Sequence, residues 1–207
     1  MSTLELIWDS KHTWSLWSWN SAYGNIHYTA QLVRPIKKSV YMVRIGNRGM
    51  EPTDVVALKV ARGSEAVEEM EREAGFYEHQ LRDLQGTVVP KCYGFYTAKV
   101  RGMDIGCLLL EYCSGPPGRD FAHIRSQSQG HASYICSPQG GSATHGDLAG
   151  GHHFIPMGHD VRIVDFSVAV PHKCVSGLSK RAAGHRHHIC GCHEIAVLEN
   201  VYARHLL

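Results

Sequence analysis

The chain has no apolar run long enough to cross a bilayer. Its longest, such as residues 105–110, fall far short of the ~20 residues a membrane helix requires, which predicts a chain that does not span a membrane. It also lacks a dominant charge. Lys and Arg number 21 against 19 Asp and Glu, for a net charge of +2, so no strong field gathers nucleic acid or an anionic membrane surface. Seven cysteines make an odd count without framework spacing, and residues 1–10 hold neither a basic leader nor a long apolar stretch. These absences point to a reducing, intracellular setting, cytoplasmic or nuclear. Apolar content is not scarce: at 43% of 207 residues it suffices for a buried core in one domain or a small two-lobed unit.

The richest chemistry lies in residues 144–169, THGDLAGGHHFIPMGHDVRIVDFSVA. Asp147 and Asp165 stand eighteen residues apart, and each borders a short apolar strand. Phosphoryl transfer needs one carboxylate to orient or deprotonate an acceptor hydroxyl and another to hold the magnesium that bridges the phosphates. The alternative makes both aspartates turn or N-cap residues. Upstream, residues 54–61 read DVVALKVA, a β-branched run interrupted by Lys59, which needs either an anionic partner or an exposed face. Residues 64–84 carry Val67, Met70, Ala74, Tyr77 and Leu81 three or four apart, which predicts an amphipathic helix with Ser64 as its cap. Residues 106–113, GCLLLEYC, predict a buried strand.

Taken in order, the VALK strand, the EREAGFYEHQLRDLQGTVVPKCYGFY segment, LLLEYC, HGDL and VRIVDFSVA resemble the protein-kinase-like superfamily over about residues 55–194. Within it they are most similar to the short kinase-like proteins of basidiomycete fungi that carry an HGD catalytic loop. The resemblance implies an α+β, two-lobed fold. Its small lobe, residues 1–113, would be a five-stranded antiparallel sheet with one helix and a hinge at its end. Residues 114–207 would form a truncated helical large lobe. It further implies ATP and magnesium as cofactors, with Lys59 on the α and β phosphates, Glu73 (or second Glu78) pairing with Lys59, and Leu110 as gatekeeper. Glu111 to Cys113 would be the adenine-binding hinge, Asp147 the base and Asp165 the magnesium ligand.

Other features depart from that pattern. Of the phosphate-covering glycines only Gly24 is present, and residues 125–144 lack the helical periodicity that would support the catalytic loop, so they read as a loop or disordered insert. His152 occupies the place of a second metal-binding asparagine, and imidazole suits borderline metals better than magnesium. Ala149 replaces a lysine and Ser167 a glycine. The tail cluster His185, His187, His188, Cys190, Cys192 and His193 lacks the spacing of structural zinc sites and reads as solvated. Residues 194–206 have a helical pattern, and residues 4–19, with all four tryptophans, form a weakly amphipathic packing segment. Two functions follow: an ATP- and magnesium-dependent phosphotransferase, or a catalytically impaired scaffold that engages a protein partner.

Overall fold

Apolar and polar residues alternate along several of the strands within the first 111 positions, and those strands close on themselves. In the computed structural model, residues 1–18, 25–114, 135, 142–148, 153–157, 160–173 and 194 are described. The chain divides into two compact units: Met1–Glu78 with Pro90–Cys113, and His79–Val89 with Ser114–Leu207.

The first unit contains β1 (Ser2–Ile7), β2 (Thr13–Ser18), β3 (His27–Lys37), β4 (Val40–Asn47), β5 (Asp54–Arg62), α1 (Ser64–Glu78), β6 (Cys92–Val100) and β7 (Met103–Glu111). Its seven strands form a closed barrel in the order β1-β2-β6-β7-β5-β4-β3. Every pairing is antiparallel except the seam, where β1 runs parallel to β3 with Leu4 opposite Tyr28 and Leu6 opposite Ala30. Because side chains alternate between faces, Leu4, Leu6, Leu16, Val43, Ile45, Leu58, Ile105, Cys107 and Leu109 fill the interior. Trp8 packs edge-on against Trp14 and Tyr41, with ring centroids 4.8 and 5.1 Å away.

This architecture overturns the expected fold. The predicted small lobe was an antiparallel sheet of five strands, whereas the unit is a mixed barrel of seven with one helix. The physical reason is the amino-terminal segment. Residues 4–19, read as a packing segment, contain most of the hairpin β1–β2, whose Leu4 and Leu6 enter the core and whose backbone closes the barrel against β3. Residues 33–45 are not one strand: β3 and β4 meet there in a tight hairpin turning at Ser39, with φ at 63°, and the turn-rich residues 48–53 link β4 to β5.

The helix α1 begins beyond Gly63, whose carbonyl accepts from the Val67 amide at 3.0 Å, and buries Met70, Glu73, Ala74, Phe76 and Tyr77. It is shorter than the predicted 64–84: a 3-10 turn at Arg82–Leu84 follows, and Leu81 and Leu84 are buried in the second unit. It lies over β7 so closely that a Cβ on Gly106 would stand 3.1 Å from the Phe95 ring and 3.3 Å from Val67. Strand β7 is therefore buried on both faces, and this explains its unbroken apolar run.

The second unit was expected to be helical. Among its described residues are β8 (Ala143–Thr144) paired with β11 (Val170–Pro171), β9 (Phe154–Met157) paired with β10 (Asp160–Ile163), and the 3-10 turn, but no α-helical run. Of residues 125–144, Ile135 is helical and buried, Ser142 is described without regular structure and Ala143–Thr144 are strand; the rest lie outside the described residues. So do Gly24, His152, the cluster at 185–193 and all of 194–206 except Glu194.

Candidate functional site

In the first unit, alternation along β5 places Leu58 and Val60 inside the barrel and Lys59 on the opposite face, the one α1 covers. There the Lys59 Nζ donates to Glu73 Oε2 at 2.6 Å. Glu73 is 1% exposed and Lys59 22%. A carboxylate this deeply buried requires a cation, and a lysine inside a β-branched strand requires an anion, so each accounts for the other. Glu78, the alternative partner, is not needed for this contact. Register places Leu108 opposite Lys59 and Leu110 opposite Ala57, so Leu110 shares the Lys59 face.

At the end of β7, the Glu111 amide donates to Lys91 O at 2.8 Å, and the Glu111 carboxylate accepts from the Lys91 amide at 3.1 Å. The Cys113 thiol lies 3.6 Å from the Glu111 carbonyl. Glu111 thus spends its amide on the protein's own backbone.

The second unit holds both aspartates on loops tied to each other. His145 is fully buried, its Nε2–H donating to Val164 O at 2.9 Å, while its Nδ1 accepts from the Asp147 amide at 3.3 Å. Those two bonds fix the neutral tautomer, and burial lowers the ring's pKa below its ordinary value. The ring also packs on Phe166 at 4.8 Å and on His153 at 4.9 Å between centroids. His153 donates through Nε2 to Asp147 Oδ2 at 3.1 Å, and its carbonyl accepts from the Val164 amide at 3.0 Å.

Two backbone positions shape these loops. Gly146 has φ at 88°, and a Cβ there would stand 3.0 Å from Val168 O. Asp165 itself adopts φ at 72°, sparsely populated for a residue with a side chain, and Ser167 Oγ donates to its Oδ1 at 3.1 Å. Strain of this kind persists only where surroundings enforce it. Here the buried Phe166 and the Val164 bonds on either side supply that enforcement.

Three participants escaped the sequence reading. Glu194 holds the HGD loop by its backbone, with Oε2 accepting from the His145 amide at 2.7 Å and Oε1 from the Gly146 amide at 2.6 Å. A carboxylate forty-eight residues beyond Gly146 gives no local signal of that contact. His153 meets Asp147, and the adjacent histidine pair is the signal in the sequence that points to it. Arg162, 7% exposed, donates to Asp160 Oδ2, Thr87 O and Gly86 O at 2.5, 2.5 and 2.6 Å, binding β10 to the segment before Pro90.

Asp147 and Asp165 offer hard carboxylate oxygens, whereas both His145 nitrogens are committed to backbone groups. Magnesium suits such donors, because it keeps water and phosphate oxygens and takes only one or two carboxylates from the protein. Among the described residues no group of three or more His, Cys, Asp and Glu side chains is arranged to hold a metal ion. No described helix is long and apolar enough to cross a membrane. No protein-family profile and no curated protein matches the chain. Together with the closed seven-stranded barrel, this removes the assignment to the protein-kinase-like superfamily that the motifs suggested.

Proposed function

We propose that this protein binds a nucleoside triphosphate with magnesium and transfers the terminal phosphoryl group to a hydroxyl acceptor. The observation that carries this reading is the bridging of the two aspartate loops through His145, which gives Asp147 and Asp165 fixed backbones in one unit. ATP with magnesium supplies the transferable group and neutralises charge on it. Asp165 serves as the magnesium ligand. Asp147, with one oxygen held by His153, orients and deprotonates the acceptor hydroxyl through the other. Within the first unit taken by itself, Lys59, held by Glu73, is the candidate cation for nucleotide phosphate, and the strand end from Leu110 to Cys113 the candidate for the base. An intracellular, reducing compartment accords with Cys92, Cys107 and Cys113 being thiols.

The experiment is a thermal-shift titration with ATP and magnesium, followed by transfer of labelled phosphate to a panel of small alcohols and hydroxyl-bearing peptides. A rise in melting temperature that needs both ATP and magnesium, with transfer abolished by Asp147→Asn, is the expected result. Absence of any ATP-dependent shift ends the proposal.

A second reading, a binding scaffold without turnover, draws on the side chain of Asp147, which is 54% exposed. An exposed carboxylate lacks the dry surroundings that make electrostatic catalysis efficient. Nucleotide binding without transfer to any acceptor would favour it.

A further inference from the structure

We infer that the groove between α1 and β6 of the first unit docks an extended basic peptide carrying one apolar anchor. This surface is separate from the chemistry above, since neither Lys59 nor Glu73 lines it.

Two adjoining cavities, of about 420 and 200 Å³, share Trp17 and Thr97 in their walls. Strand β2 meets β6 in register only at that pair among the described residues, so the cavities lie along the thinnest seam of the barrel. The larger has an apolar floor of Val67 and Ile105, and Trp17 remains 42% exposed although its ring is the most apolar surface available there. An indole left in water beside a concave apolar floor is the sort of anchor that a partner's side chain covers.

The walls specify the charge of what lies on them. Glu68 lines the larger cavity, and Glu71 and Glu78 the smaller. At spacings of three and seven they share one face of α1. The only cation among the lining residues is Lys99, which is paired with Asp104 at 3.3 Å. Arg72, the single cation of α1, lines neither cavity. The ten-residue step from Glu68 to Glu78 spans about 15 Å along the helix. An extended chain covers that length in about five residues, which suits basic side chains on alternate positions with an apolar one directed at Trp17.

The test uses the full chain and a fluorescein-labelled twelve-residue peptide alternating Lys or Arg with polar residues around a central Phe. Controls replace every cation by Glu, or the Phe by Ser. Fluorescence anisotropy should show binding of the basic peptide that weakens at high salt, falls about tenfold in the double variant E68K/E71K, and falls similarly in Trp17→Ser. Binding should be absent for the acidic control. Equal binding of the acidic peptide, or unchanged affinity in E68K/E71K, overturns the inference. So does concentration-dependent self-association that the same double variant abolishes, because the occupant would then be a second copy of this chain. Glu68 and Glu71 are exposed, so E68K/E71K keeps its fold, and its melting temperature without peptide checks this.

Discussion

Replacing Lys59 by Met separates the structural from the functional role of the buried pair. At 2.6 Å and an effective dielectric of about 20, the gross attraction between Lys59 and Glu73 is roughly 6 kcal/mol. Burying Glu73 at 1% exposure consumes most of it, so the pair adds little net stability. Removing one partner is a different matter, because the carboxylate stays buried without its ammonium, at a cost of about 3 kcal/mol. In a chain of this size that lowers the melting temperature by roughly 6–12 °C. The double variant K59M/E73L removes both charges and should recover most of the loss, leaving a coupling energy visible in a double-mutant cycle. Scanning calorimetry or urea unfolding of the parent, K59M, E73L and K59M/E73L supplies the four stabilities. If K59M melts within about 2 °C of the parent, the buried ion pair does not exist in solution and the argument from burial fails. The same proteins test function: K59M/E73L should be folded yet give no ATP-dependent shift, and a shift equal to the parent's would remove Lys59 from nucleotide binding.

Other expectations follow from the second unit and from the thiols. Burial lowers the His145 pKa, so the unfolded chain binds this proton more readily than the folded one. Its contribution to stability is therefore complete above the unfolded value of about 6.5 and is lost as pH falls through the folded value. Melting temperatures from pH 8 to 5 should fall less steeply in His145→Gln than in the parent, and parallel curves would contradict the neutral buried ring. Glu194→Ala leaves the His145 and Gly146 amides without their charged acceptor, each such bond being worth about 1.5–3 kcal/mol. Hydrogen exchange at those two amides should accelerate strongly in the variant while β5 amides stay protected, and unchanged exchange would rule the contact out. Gly146→Ala should destabilise by more than 1 kcal/mol, since it meets both the positive φ and Val168 O, and a neutral effect in urea unfolding would refute this. Burial pushes the Cys107 thiol up to about 12, so iodoacetamide at pH 8 should label Cys113 well before Cys107.

What could be read from the chain depended on the distance over which each contact acts. The strand at residues 54–61, the helix start at Ser64 and the buried strand at 106–113 are set by local periodicity, and they appear in the fold with small changes of length. That Lys59 needs either an anionic partner or an exposed face was likewise a local deduction, because a charge inside a β-branched run states its own requirement, and the contact with Glu73 decides between the two. Closure of the barrel was not legible, since β1 and β3 pair in parallel through residues over twenty positions apart, and neither strand records which neighbour it will take. Glu194 was hidden for the same reason: what it binds is backbone, and backbone amides have no letter in a sequence. Motif likeness failed at a different level. Short strings such as HGDL and VDFS specify turns that hold a carboxylate, and the turns at Gly146 and Asp165 do hold theirs, with positive φ at both. A turn of that kind can be built on more than one scaffold, so its letters constrain the chemistry more tightly than the architecture around it. The proposed phosphoryl transfer rests on the two carboxylates and their hydrogen bonds, and it stands or falls with nucleotide binding, whatever the barrel resembles.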